Sequence, residues 1–116
     1  MNYMNLLIDD VVEWFHAKGI IENSNPLKQL EKTQEELTET RDAAVRLDCI
    51  IGACVSDRLN LYEEIKDGIG DTVVTLIGVC EMYGFTLEDC LQQAYEVISK
   101  RSGKMINGKF VKDTEA

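Results

Sequence analysis

Apolar residues recur at helical spacing early in the chain. Leu7, Ile8, Val11, Val12, Trp14 and Phe15 do so with Asp9, Asp10 and Glu13 between them, which predicts a first helix that Gly19 can end. Asn23-Ser24-Asn25-Pro26 is a second start signal, with Asn25 as cap and Pro26 at the first helical position. The helix that follows carries Leu27, Leu30 and Leu37 on one side. Lys32, Glu35, Glu36 and Glu39 fall on the other, within an arc of roughly 100°. Between Ala43 and Leu61 the pattern weakens. Cys49 to Val55 is apolar but short, and periodicity there cannot separate a helical turn from a strand, so the segment is expected to connect two helices.

The next helix is expected over Glu63 to about Tyr83, with Gly84 as its stop. Stepping at 100° per residue, Glu64, Asp67 and Asp71 lie within roughly 60° of one another, with Ile65, Ile69, Thr72 and Leu76 opposite. Thr86-Leu87-Glu88-Asp89 resembles a capping box, and Leu87, Leu91, Ala94, Tyr95 and Ile98 give the last helix its apolar stripe. Gly103 ends that region. Met105 to Val111 is expected to form a small hairpin, because Asn107-Gly108 suits the positive φ values of a type I′ turn. The expectation is an all-α fold: a four-helix bundle-like single domain over residues 1–116, closed by a short C-terminal β-hairpin.

A chain of 116 residues, 45% hydrophobic and 28% charged, can bury an independent core yet is small enough for a partner subunit to matter. No stretch approaches a membrane span, and the amino terminus lacks the basic start and cleavage site of a secretory signal. Four cysteines at 49, 54, 80 and 90, without a Cys-x-x-Cys and with a single histidine, suit neither zinc nor a disulfide scaffold. A cytoplasmic protein is expected. Net charge of −9 argues against broad binding to nucleic acid, whose affinity comes from Lys and Arg neutralising phosphates.

The acidic faces change this picture. A single helix with three stacked carboxylates is explained by a solvated surface, at a cost of a few tenths of a kcal/mol per like-charged pair. Two such faces on consecutive helices can meet only if something lies between them, since clustered carboxylates raise one another's pKa values. A hard divalent cation resolves the conflict. Carboxylates without His or Cys favour Mg²⁺ or Mn²⁺, and helices of a bundle can aim them inward. Gly68 and Gly78 flank the stripe, where a missing side chain admits either a ligand or a close helix neighbour.

Gln29-x-x-Lys32-x-x-Glu35-Glu36-x-x-Glu39, followed by an acidic helix containing Asp67-Gly68-Ile69-Gly70-Asp71, resembles the MazG-like all-α nucleoside triphosphate pyrophosphohydrolases, especially the short phage and bacterial forms. Their signature is Glu-Glu-x-x-Glu on one helix and Glu-x-x-Asp on the next. The tail from Tyr95 to Lys112 is similar to theirs, and the likeness covers roughly Trp14 to Lys112. Position 68, usually Glu in that family, is Gly here. Asp67 lies one residue earlier on the face of Asp71, and Glu64-Ile65-Lys66-Asp67 fits the motif one turn before.

The resemblance implies Mg²⁺-dependent hydrolysis of a nucleoside triphosphate between the α and β phosphates, in a homodimer or homotetramer. It implies Glu36, Glu39, Asp67 and Asp71 as metal ligands, with Glu64 in reserve, and Glu35 to orient or deprotonate the attacking water. Lys32 could contact a phosphate or simply pair with Glu36. Lys100, Arg101 and Lys104 are further phosphate-binding candidates, and a base pocket is expected near Trp14. Two alternatives stay open: a phosphoribosyl-ATP pyrophosphohydrolase, and a non-enzymatic helical dimerisation or regulatory module.

Overall fold

The computed structural model describes residues 2–50 and 55–113. Among these residues the order is α1 (Tyr3–Ala17), α2 (Ile20–Asn23), α3 (Pro26–Cys49), α4 (Val55–Tyr83), α5 (Leu87–Ile98), β1 (Gly103–Ile106) and β2 (Lys109–Lys112). The all-α class with a short C-terminal hairpin is as expected from the sequence. The chain divides into two compact units, Met1–Phe85 and Thr86–Ala116.

The first unit is organised by α3 and α4. The Asn25 side chain accepts a hydrogen bond from the Lys28 amide at 2.9 Å, and Pro26 follows it, so α3 starts where the cap chemistry demands. At the far end of α4, Gly84 takes φ 79°. The Phe85 amide then donates to the Cys80 carbonyl at 2.8 Å, and the Gly84 amide to Glu81 at 3.2 Å. This is a Schellman stop, which requires a residue tolerant of positive φ.

Paired positions on α3 and α4 descend as they ascend: Thr33 meets Thr75, Thr40 meets Gly68, and Arg46 meets Glu64. The two helices are therefore antiparallel. The Thr33 and Thr75 hydroxyls are 2.8 Å apart. Their own helices also offer carbonyls, Gln29 at 3.0 Å and Thr72 at 2.7 Å. Each hydroxyl has one proton, so one bonds across the helix pair while the other bonds back. That arrangement lets Thr75 be buried without a hydrogen-bonding deficit.

α1 packs on α4 through Phe15, which is 2% exposed and lies over Gly78. Burying such a ring contributes about 1.5–3 kcal/mol. α1 is capped by Asn2, which accepts from the Asn5 amide at 2.9 Å. Gly19, at φ 73°, turns the chain from α1 into α2.

Three expectations need correction. α2 was not anticipated, because four residues are too short to show a period. Ala43 to Cys49 and Val55 to Leu61 are helix rather than connection, extending α3 and α4 toward each other, with Ala43 and Leu61 buried. The expected connection over residues 51–54 lies outside the described residues. Third, the contacts between α3 and α4 include small and hydroxyl residues, Thr33 with Thr75 and Thr40 with Gly68. Leu37 and Ile69, each expected on a core-facing stripe, are both 56% exposed.

In the second unit, Thr86 caps α5 by accepting from the Asp89 amide at 3.0 Å. β1 and β2 pair antiparallel, with Ile106 opposite Lys109. Asn107 and Gly108 take φ 51° and 80°, the two positive values of a type I′ turn. None of the helices in the described residues is long and apolar enough to cross a membrane.

Candidate functional site

Glu36, Glu39, Glu64, Asp67 and Asp71 line one cleft of about 190 Å³ between α3 and α4, with Thr40 and Gly68 at its floor. The two acidic stripes anticipated from the sequence thus meet. They meet because the contact face between the helices is thin: Thr40 on α3 fits against Gly68 on α4, bringing the flanking carboxylates to a common opening.

Glu36 is the most enclosed of the ion-paired carboxylates, its side chain 15% exposed. Burial pushes its carboxyl above the ordinary carboxylate range; the charges of Glu39 and Asp71 raise it further, Lys32 opposes them, and Glu35 adds to the rise. Lys32 stands 3.3 Å from Glu35 and 3.9 Å from Glu36, so one ammonium is shared by two neighbours. Glu64 is engaged by Arg46 at 3.2 Å. Asp67 and Asp71 have no such cation within salt-bridge distance among the described residues. Both Glu64 and Asp67 line the cleft, and of the two only Glu64 has a cationic partner at that distance among the described residues.

Glu35 does not line the cleft. It lines a neighbouring surface with Glu31, Gln34, Thr38 and Glu39, the last of which also lines the cleft, and its side chain is 63% exposed. Trp14, by contrast, joins the acidic residues. A neighbouring pocket of about 300 Å³ is lined by Trp14, Phe15, Ile20, Gln29, Lys32, Glu36, Asp71, Val74 and Thr75. Glu36 and Asp71 belong to both cavities, so the two form one continuous surface.

No family model, curated protein or solved structure matches the chain.

The donor set bears on which ion could bind. Every candidate ligand is a carboxylate oxygen, the chemistry that Mg²⁺ and Mn²⁺ prefer. Among the described residues no group of three or more Asp, Glu, His or Cys side chains is arranged to hold a metal ion as it stands.

Lys100, Arg101 and Lys104 belong to the second unit, where α5 gives way to β1, and all three are exposed. His16, assigned no role from the sequence, pairs with Glu81 at 2.6 Å. Gln29, Thr40, Val74 and Ile20 line the two cavities without having been singled out for a role there. Gln29 had a legible signal: it shares one face of α3 with Lys32 and Glu36, at i, i+3 and i+7. α2, which supplies Ile20, gave no such signal.

Proposed function

We propose that the protein is a Mg²⁺-dependent nucleoside triphosphate pyrophosphohydrolase of the MazG-like type, releasing a nucleoside monophosphate and pyrophosphate. The observation that carries this is the convergence of Glu36, Glu39, Asp67 and Asp71 on one cleft that opens into the pocket beside Trp14 and Lys32. A solvated acidic surface does not require the carboxylates of two helices to face one another, nor one of them to be enclosed.

In this account Glu36, Glu39, Asp67 and Asp71 would hold the metal, with Glu64 in reserve. The ion supplies neutralisation of the triphosphate and a lowered pKa for a bound water. Lys32 transfers part of its pairing from Glu35 and Glu36 to a substrate phosphate. Glu35, freed by that transfer, turns from the outer side of α3 to orient or deprotonate the attacking water. Cytoplasm is the compartment that suits this substrate.

A second copy of the chain is the partner in this account. On the side of the α3–α4 pair away from the acidic cleft, Leu30 and Leu37 share a face with Tyr62, Ile69 and Val73. All five are exposed in the single chain. Light scattering that gives a monomer contradicts this part alone.

Calorimetric titration with Mg²⁺ tests the site. Wild-type protein should bind the ion with a stoichiometry of at least one, and Asp71→Asn should lose that binding while keeping its helical circular dichroism. Equal binding by the two proteins removes the carboxylates from the account.

A further inference from the structure

We infer that the β1–β2 hairpin of one chain clasps α3 of a second copy, with Lys104 and Lys109 set against the carboxylates of Glu31 and Asp42. The inference rests on the second-copy part of the reading above, not on its nucleotide part, and names the segment and the surface that meet.

The second unit has no core of its own. Of its described residues, 86–113, none is buried. The apolar stripe of α5, Leu91, Tyr95 and Ile98, is more than half exposed. A two-stranded hairpin is marginal in water by itself, and units below about 40 residues usually need a partner, a metal or a disulfide. A partner surface would complete this one.

Charge decides which surface. Lys100, Arg101, Lys104, Lys109 and Lys112 all fall in Ser99–Lys112, a segment that holds no Asp or Glu. Two such hairpins repel each other. Residues 1–85 carry the whole net charge of −9. The register sets Lys104 beside Val111 and Ile106 beside Lys109. Cross-strand neighbours and alternate residues share a face, so one face of the hairpin alternates two cations with two exposed apolar side chains.

α3 offers the complement. Glu31, Glu35, Thr38 and Asp42 lie at i, i+4, i+7 and i+11, within roughly 60° of one another and over about 16 Å of helix rise. A concavity of about 440 Å³ opens along this stripe, lined by Glu31, Gln34, Glu35, Thr38 and Glu39. Lys32 already pairs with Glu35. Glu31 and Asp42 have no cation at salt-bridge distance among the described residues, nor do Lys104 and Lys109 have an anion. Around the helix Gln34 lies between this stripe and Leu30, so the clasp would continue the apolar contact of Leu30 and Leu37. Two reciprocal clasps close a two-fold dimer.

The test reverses the charge on each side, in Glu31→Lys/Asp42→Lys and in Lys104→Glu/Lys109→Glu, and follows self-association of the full chain by light scattering over a dilution series. Wild type should self-associate, and each variant should do so at least about tenfold more weakly. Mixed one to one, the variants should form a heteromer of near wild-type affinity, seen by native mass spectrometry, because both clasps are then restored. The loss should shrink in about 1 M salt, where charges are screened beyond about 3 Å. Circular dichroism confirms that each variant is folded. Unchanged self-association in both variants, or a mixture that binds no tighter than its components, overturns the inference and leaves the apolar contact standing. A monomeric wild type overturns both. With no nucleotide or metal present, none of these outcomes bears on hydrolysis of the triphosphate.

Discussion

The Thr40 side chain fills the space that a Cβ at Gly68 would enter: Thr40 Oγ1 lies in the path of such a Cβ, and Thr40 Cβ is 3.0 Å from it. Position 68 is where the MazG-like pattern usually has a glutamate. Here it is a tight contact between the two helices that build the acidic cleft. A glutamate at 68 would push α3 and α4 apart at that level. The glycine at 68 and the meeting of the flanking carboxylates are thus one feature.

A pair of glycine substitutions checks this. Gly68→Ala should destabilise the protein by about 1–3 kcal/mol, the cost of overpacking a tight contact. Gly70, two residues on, has nothing within 4 Å of a built Cβ. Gly70→Ala should therefore stabilise by up to about 1 kcal/mol, since alanine is the better helix former. Urea denaturation of the two variants reads both signs.

Phe15 and Gly78 give a second prediction. A Cβ at Gly78 would approach Phe15 Cε1 and Cζ to 2.6 Å, so the ring is held against bare backbone. Phe15→Ala should cost about 3–5 kcal/mol. Phe15→Leu, which keeps much of the volume, should cost less. The same measurement distinguishes them.

Glu36 carries a pH dependence whose sign follows from its raised pKa. The folded state favours the protonated carboxyl more than the unfolded state does. Its contribution to stability is therefore present below the ordinary carboxylate pKa and is lost as pH rises through the raised value. Glu36→Gln removes an ionisation that the fold resists, so at neutral pH the variant should melt higher than wild type. The gap should close in acid. Added Mg²⁺ should raise the melting temperature of wild type more than that of Glu36→Gln, because a ligand of the folded state stabilises only the protein that binds it. A variant that melts lower at neutral pH contradicts the desolvation of Glu36.

Much of this fold was legible in the sequence because its boundaries use strong local chemistry. Asn25-Pro26, Gly84, Thr86 and Asn107-Gly108 each do what their residue types dictate. The meeting of the acidic stripes was legible too, from helical phase on α3 and α4. The core was not. Phase separates the leucines of α3 from its carboxylates, but contacts to α4 lie between them, on Thr33 and Thr40, and small residues carry no hydrophobic signal. The outward position of Glu35 was hidden for a similar reason: Glu35 and Glu36 differ by 100° around the helix, and only the packing of α4 decides which faces inward.

The central claim is the bond that is cut. Pure protein incubated with Mg²⁺ and a panel of ribo- and deoxyribonucleoside triphosphates should release pyrophosphate and the monophosphate, with no orthophosphate. Turnover should fall by at least about a hundredfold in Glu39→Gln, the loss of several kcal/mol of transition-state stabilisation. Orthophosphate as the product, no turnover of any triphosphate, or turnover that Glu39→Gln leaves intact would contradict the account.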